Sequence, residues 1–324
     1  MKKHILFICI LAISACSDDS SSVFSESGIT VALATQPSSA LVVFAIETGV
    51  FENHGIMINP LEFDSEELAI SATTKKEIDP DIIFASDITF LANQHKLDNH
   101  RIVSTVFESD NANALVSTEP FDIFPYLETK TLCTQQQSAL HFFGKILVDR
   151  QLVGANKISF FNITELNNKL MTGDCDIVTT REPYLSDLKN QTGDNLYVKS
   201  FPGTYLQYEL MLAHNRVSDK KLELILLALL DAEHQLYDSR DQLVEECLKT
   251  PGTLCNLLDH NIIQDSIVEV SLYQTVIPNL KREFSWLKQQ SKDVSESQNI
   301  DVLIRTVPLN NVSPHRMTVV NHED

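Results

Sequence analysis

Short apolar runs alternate with helix-length apolar patterns in the first part of the chain. Ile29–Ala34 is apolar throughout, long enough for a strand and too short for a helix. A polar loop at residues 35–39 leads into residues 40–48, which predict a buried helix capped by Ser38 or Ser39 and ended by Gly49. Residues 56–63 predict a second strand. This unit predicts a parallel sheet with a right-handed crossover, and a ligand at the loop after the first strand.

The same order of elements begins again near residue 131, which predicts two similar α/β lobes. A polar loop at residues 135–138 again separates a strand from a helix. The further predicted strands lie at residues 81–85, 101–107, 114–117, 131–134, 157–161, 176–179 and 205–213, and the further predicted helices at 88–94, 139–150, 165–171, 219–237, 240–248, 262–273 and 276–288. The last helices form a tail that we expect to pack on the first lobe.

Two local signals refine the first lobe. Pro60 lies within the second strand, and a proline is tolerated at the edge of a sheet, so this strand should be an edge strand. Asp64 and Glu67 have the spacing of a capping box and predict the start of a helix.

Length and charge limit the architecture and the partners. A chain of 324 residues exceeds an ordinary single core, which favours two lobes. The formal net charge is −19, and removal of Lys2 and Lys3 with a leader would make it −21. Such an acidic protein is a poor partner for nucleic acid or an anionic membrane surface.

The N-terminus has the features of an export signal. Lys2 and Lys3 precede an apolar run at residues 5–15 that is too short to span a membrane. The run ends in Ile-Ser-Ala-Cys, which resembles a bacterial lipobox and implies lipidation of Cys16, with residues 1–15 as signal peptide and residues 16–28 as a polar tether. The alternative is an ordinary secretory signal cut near Ala15. The expected location is a lipoprotein facing the periplasm from the inner or the outer membrane.

Four more cysteines follow Cys16. Export permits disulfides. Cys247 and Cys255 flank a short loop with a central Pro-Gly turn, so we expect them to be bridged. Cys133 and Cys175 fall on or beside strands of the second lobe, and a bridge between them is a hypothesis.

Two segments carry a resemblance to a known family. The motif AIETGVFENHG contains Ala45, Glu47, Gly49, Phe51 and Gly55, and LMTGDCDIVTTREPY at residues 170–184 has a glycine turn, an Asp opening a strand and an acidic-Pro pair. Together they resemble the periplasmic substrate-binding proteins of nitrate, sulfonate, taurine and thiamine-precursor ABC importers. The chain departs from that pattern at residues 75–80, which have no glycine before the Asp, and at Arg181, where an aromatic residue is usual.

The resemblance implies an α/β, two-lobe periplasmic-binding-protein type II fold in which each lobe has a mainly parallel sheet flanked by helices. Lobe 1 would comprise residues 29–112 and 206–324 with the helical tail, and lobe 2 residues 113–205. The chain would cross between them at residues 109–116 and 205–213. A ligand would then contact the strand ends of both lobes: Thr35, Gln36, Pro37, Ser38, Asp64, Ser65, Ser86, Asp87, Gln136, Gln137, Ser138, Arg181, Glu182 and Tyr205.

Arg181 is the sharpest of these candidates. Its guanidinium can hold a carboxylate, sulfonate or phosphate with two parallel hydrogen bonds. The equally weighted alternative is a structural ion pair with Glu182 or Glu209.

The other candidates also have two interpretations. Asp64, Asp87 and Glu182 are alternatively sites for a cationic amine or helix caps. Tyr205 either stacks on a heteroaromatic ligand or lies in the core.

Two functions follow from these patterns. The first is a lipid-anchored solute-binding protein that captures a small, anionic or heteroaromatic ligand for an ABC permease. The second is a ligand-sensing accessory protein for a membrane histidine kinase or cyclase, because residues 283–287 and 314–320 resemble a C-terminal extension of members paired with sensor enzymes. No G-x-S-x-G, P-loop, HExxH or GxGxxG motif is present, so we predict no enzyme, cofactor or metal.

Overall fold

The fold is described from a computed structural model. It covers residues 28–120, 130–150, 157–193, 195–247, 253–258, 265–290 and 299–320. The predicted signal peptide, Cys16 and nearly all of the predicted tether therefore lie outside the described residues. No helix within the described ranges is long and apolar enough to cross a membrane.

The first sheet has five strands in the order β2-β1-β3-β10-β4, and with its helices it forms what we call lobe 1. Its strands are β1 (Ile29–Ala34), β2 (Ile58–Phe63), β3 (Ile82–Ser86), β4 (His100–Ser109) and β10 (Gln207–His214). β2 and β3 run parallel to β1, whereas β10 is antiparallel to both of its neighbours. The sheet is therefore mainly parallel. β2 lies at the edge, as Pro60 predicted, because an edge position does not require its missing N–H.

The second sheet repeats this arrangement in the order β7-β6-β8-β5-β9 and defines lobe 2. Its strands are β5 (Ala114–Ser117), β6 (Thr131–Thr134), β7 (Lys157–Phe160), β8 (Ile177–Thr180) and β9 (Tyr197–Ser200). The single antiparallel strand is β5, which follows β4 of the first sheet, and β10 follows β9 in return. Each sheet thus receives one strand from the chain as it arrives from the other lobe.

Helices cover the two sheets and build the tail. They are α1 (Ala40–Glu47), α2 (Val50–Asn53), α3 (Glu66–Thr74), α4 (Asp87–Asn93), α5 (Ala139–Asp149), α6 (Ile163–Met171), α7 (Tyr184–Thr192), α8 (Asp219–Cys247), α9 (Thr253–Leu258), α10 (Val276–Gln290) and α11 (Val307–Val312). The first six residues of α1 are buried, which agrees with its uniformly apolar sequence. Gly49 follows with φ of 73°, a conformation that strongly favours glycine. α8 packs on α1 and α11, which brings the tail onto lobe 1.

A disulfide joins Cys133 on β6 to Cys175 just before β8, within the smaller apolar core of lobe 2. Cys255 is disulfide-bonded as well. The side chain of Cys247, its expected partner, lies outside the described residues.

Three sequence predictions are corrected by the structure. Residues 265–273, predicted as part of a helix, run extended beside β4, where Ile267 bridges Glu108 and Ser271 bridges Thr105 through backbone hydrogen bonds. α8 continues to Cys247 in place of two separate helices. Helix α3 is capped by Ser65, whose hydroxyl accepts from the Leu68 N–H, and not by an Asp64 capping box.

Candidate functional site

The carboxyl-terminal strand ends of the two lobes face each other, and side chains from both sides meet there. Arg181 follows β8 in lobe 2, and its Nη1 donates to Glu66 Oε1 of lobe 1 over 2.9 Å. Nearby, the Tyr184 hydroxyl donates to the carbonyl oxygen of Asp64 over 2.7 Å. The lobes are therefore in direct polar contact across the predicted ligand position.

Among the described residues, Arg181 is the only basic one that forms an ion pair with Glu66 or Glu67. Its side chain is 5% exposed, and that of Glu66 is fully buried. A second carboxylate oxygen, Glu67 Oε2, lies 3.6 Å from Arg181 Nη2. The structural ion pair proposed with Glu182 or Glu209 is thus replaced by one with Glu66, because α3 places Glu66 directly opposite β8.

Glu66 is also held from within lobe 1. Its Oε1 accepts from the hydroxyls of Ser86 at 2.9 Å and Thr89 at 3.3 Å. Its Oε2 accepts from the Ser86 N–H. These donors compensate for the burial of the Glu66 carboxylate, and they fix the position of the acceptor for Arg181.

A third carboxylate, Glu209 of β10, lies beside the loop that follows β1. Its Oε2 accepts from Ser38 Oγ at 2.9 Å and from Gln36 Nε2 at 3.5 Å. Burial raises the pKa of Glu209 well above its usual value, and the neighbouring Glu66 raises it further. Burial also raises the pKa of Glu67. The three acids, Glu66, Glu67 and Glu209, are called the acid cluster below.

Several buried polar atoms in this region have no hydrogen-bond partner. They are Nε and Nη2 of Arg181, both carboxylate oxygens of Glu67, Oε1 of Glu209 and Oγ1 of Thr180. Buried polar groups in folded proteins are almost always paired. These six atoms lie around the contact between the lobes, and further unpartnered atoms, among them those of Gln94 and His100, lie elsewhere in the described chain.

Two cavities are lined by residues of both lobes. The larger, of about 610 Å³, has Glu67, Ser71, Gln136, Gln137 and Phe160 among its lining residues. The smaller, of about 20 Å³, is lined by Arg181 together with Gln36, Pro37, Ser38, Glu182 and Gln207. The smaller space holds about one water molecule. Only the larger one therefore has room for an organic ligand in this conformation.

Asp87 and Tyr205 lie deeper, in a polar network beneath the cleft. The Tyr205 hydroxyl donates to Asp87 Oδ1 over 2.6 Å, and Asn279 Nδ2 donates to Asp87 Oδ2 over 3.1 Å and to Glu283 Oε1 over 2.8 Å. Burial raises the pKa of Asp87 to about 6 and that of Glu283 well above its usual value. These groups are engaged with one another and lie in the core.

The remaining predicted residues divide into caps and cavity walls. Ser138 caps α5 by accepting from the His141 N–H, and Glu182 accepts from the Ser186 N–H. Thr35 donates its N–H to the Phe63 carbonyl. The Asp64 side chain is exposed. Gln36, Pro37, Ser38, Gln136, Gln137 and Arg181 are the candidates that line the interlobe spaces, together with Glu182.

The acid cluster was absent from the sequence-based list of candidates, although Glu209 was named as a partner for Arg181. Glu66 and Glu67 were interpreted as helix-start residues, and both do lie in the first turn of α3. Glu209 carried a usable signal, because a charged residue within an otherwise apolar strand is seldom buried without a partner.

Helix α10 contacts both lobes. It packs along α4 of lobe 1. On its far side the ring of Trp286 lies 4.8 Å from that of His141 and 5.0 Å from that of Phe142, both on α5 of lobe 2. Burial lowers the pKa of His141 to about 4. The tail helix therefore connects the two lobes beside the cleft.

Metal ligation finds no support in the described ranges, where no group of three or more His, Cys, Asp or Glu side chains is placed to hold an ion.

No protein-family model and no curated protein matches this chain. Solved structures resemble it over nearly their whole length. The alkanesulfonate-binding protein SsuA from Xanthomonas axonopodis pv. citri, bound to MOPS, gives a TM-score of 0.70 at 14% identity, over 86% of this chain and 98% of that one. The periplasmic aliphatic sulphonate binding protein SsuA from Escherichia coli gives 0.66 at 14% identity, over 87% and 98%.

A third similar structure is the zinc-bound ligand-binding component of an ABC-type import system from Staphylococcus aureus. It gives a TM-score of 0.65 at 11% identity, over 88% of this chain and 98% of that one. Similarity at this level of identity is evidence for the fold alone. The two five-stranded sheets, their exchanged strands and these neighbours together show that the chain has the α/β fold of the periplasmic binding proteins.

Proposed function

We propose that this chain is an extracytoplasmic solute-binding protein that captures a small molecule between its lobes and delivers it to an ABC permease. The observation that carries the proposal is the set of buried, unpartnered polar atoms around Arg181 and the acid cluster. Burying such atoms without hydrogen-bond partners costs free energy, and a bound ligand would supply those partners. The proposal involves binding without a catalytic step.

The exchanged strands support a hinge. The chain passes from β4 to β5 and from β9 to β10 through short connections, and a binding protein closes on its ligand by small changes in such segments. In this account residues 29–112 and 206–324 move as lobe 1 against residues 113–205 as lobe 2. Opening would break the Arg181–Glu66 contact and expose the strand ends to solvent.

Attachment to the membrane through a lipid on Cys16 is a separate part of the proposal. The sequence supports it through the small residues before Cys16, directly after an apolar run. We expect Cys16→Ser to release the protein from the membrane fraction without changing its ligand affinity. Recovery of the variant in the membrane fraction at the wild-type level would contradict lipid anchoring.

The binding function is tested by occluding the larger cavity. Ser71 on α3 lines this cavity, whereas Leu68 on the same helix is 46% exposed and does not line it. A compound library is screened by thermal shift, and hits are measured by calorimetry. We expect Ser71→Trp to lose the binding that wild type and Leu68→Trp share. Equal binding by all three proteins would contradict binding between the lobes.

A sensing role is the second candidate, and the contact of α10 with both lobes favours it. Lobe closure would alter the packing of Trp286 on α5, and this would link the ligand state to the surface of the tail helix. The two roles differ in partner. Co-purification of the ligand-bound protein with an ABC permease would support transport, and co-purification with a membrane histidine kinase or cyclase would support sensing.

A further inference from the structure

The space between the lobes contains more acidic than basic groups. Glu66, Glu67 and Glu209 all lie on lobe 1, and Arg181 is the basic side chain that approaches them within the described residues. Arg181 neutralises one carboxylate, which leaves Glu67 and Glu209 without a full counter-charge. A raised pKa at both of these groups is the expected consequence of burial without enough positive charge.

The unpartnered atoms show which kind of group is missing. Glu209 is fully buried, and its Oε1 has no donor although its Oε2 already accepts from Ser38 and Gln36. Glu67 is partly compensated by Ser65 and by Arg181 Nη2, which lies 3.6 Å from its Oε2. A protonated amine carries three N–H donors and no acceptor, whereas a sulfonate or carboxylate brings acceptors alone.

The unpaired N–H groups of Arg181 do not change the excess of acidic over basic groups between the lobes. Its Nη2 already lies 3.6 Å from Glu67 Oε2, so a small rotation would pair the two groups. An anion placed on Arg181 would have to sit beside three carboxylates in a site shielded from solvent. Lys75 and Lys96 line the larger cavity, but both side chains are exposed, so water screens their charge.

From this excess of acidic groups we infer that the ligand of the cleft is an organic cation with a protonated amine. The ligand competes for the acid cluster with Arg181, which is a cation of the protein itself. The inference rests on the proposed binding function. The wall of the larger cavity adds Phe160, which is 42% exposed and offers a ring face to an ammonium group or to an apolar body.

The test uses three probes with the same three-carbon body: propylamine, propanesulfonate and 3-aminopropanesulfonate. Each is titrated into the full-length protein by calorimetry, with thermal shift as a second readout. We expect propylamine to bind and propanesulfonate not to bind. Glu209→Gln should weaken propylamine about tenfold, because a bound ammonium favours ionisation of the Glu209 carboxyl and an amide cannot ionise, and exposed Glu62→Gln should leave binding unchanged.

The variant Arg181→Met shows whether Arg181 competes with the ligand or binds it. Removal of a competing cation should tighten propylamine about tenfold, whereas removal of an anion clamp should abolish propanesulfonate binding. Should Arg181→Met fail to fold, as judged by circular dichroism, Glu209→Gln still decides the question.

Three outcomes would overturn the inference: binding of propanesulfonate, binding of 3-aminopropanesulfonate alone, or no binding of propylamine at millimolar concentration. None of these would remove the proposed binding function, which fails separately if Ser71→Trp and Leu68→Trp bind library hits equally.

Discussion

Arg181 Nη1 donates to Glu66 Oε1 across the interface between the lobes, and both side chains are almost completely buried. The two residues lie 115 positions apart in the chain and belong to different sheets. Their pairing joins lobe 1 to lobe 2 through a buried polar contact. A ligand must therefore either displace this contact or bind beside it.

Loss of the Glu66 charge should destabilise the protein. In Glu66→Gln the buried Arg181 loses its main counter-ion, and breaking a buried ion pair costs about 3 kcal/mol. Urea unfolding at pH 7 measures the change in the free energy of unfolding.

Glu283→Gln is the matched control, since Glu283 is also fully buried. Burial and the nearby Asp87 raise the pKa of Glu283 well above its usual value, which favours the neutral carboxyl. Replacement by a neutral amide should cost less than about 1 kcal/mol. Equal losses in the two variants would show that the Arg181–Glu66 charge pair has no special role.

The disulfide of lobe 2 should contribute strongly to stability. Cys133 and Cys175 are separated by 42 residues, and a loop of that length stabilises by about 4 kcal/mol through restriction of the unfolded chain. The double variant Cys133→Ala, Cys175→Ala should lose about this amount in urea unfolding without reductant. Reduction of the wild-type protein should give at least this loss, because it also opens the disulfide of Cys255. An unchanged midpoint in the double variant would contradict this account.

The contact between α5 and α10 should weaken in acid. Burial lowers the pKa of His141 to about 4, so in the folded protein the ring stays neutral above that value. In the unfolded chain the histidine pKa is about 6.5, so above that pH the fold has its full stability. Between pH 6.5 and 4 only the unfolded chain takes up this proton, and the free energy of unfolding falls by about 3 kcal/mol.

Trp286 is the only tryptophan in the chain, and its ring lies 4.8 Å from that of His141, so its fluorescence reports on this titration. We expect a transition in emission with a midpoint near pH 4 that His141→Gln removes and exposed His95→Gln retains. A midpoint near 6.5 would mean that the imidazole is solvated.

Much of the fold was readable because apolar runs and helical patterns alternate in the same order in both lobes. Ile29–Ala34 and α1 are buried as their uniform apolarity predicts, and Pro60 lies at a sheet edge. The extended stretch at residues 265–273 was missed although Val268, Val270 and Leu272 are apolar at every second position, which is the period of a strand. Its pairing with β4 depends on contacts across the sequence that a local pattern does not contain.

The site was harder to predict from the sequence, because it too depends on contacts between residues that are distant in the chain. The sequence identified Arg181 and the polar loops after β1 and β6, since loops at parallel strand ends are recognisable. Glu66 and Glu67 look like ordinary acids in the first turn of a helix, and that local role is real. Their second role arises only when the lobes meet and Arg181 arrives from lobe 2.

The central claim is that the interlobe space holds a small molecule, and the most direct measurement is mass spectrometry of what the protein carries. Wild type, Ser71→Trp and Leu68→Trp are purified from the native host without denaturation, and the small molecules released by denaturation are quantified per mole of protein. The account predicts one amine-bearing compound, near stoichiometric in wild type and Leu68→Trp and depleted in Ser71→Trp. Absence of any released compound from wild type, with no ligand regained on incubation with host extract, would contradict it.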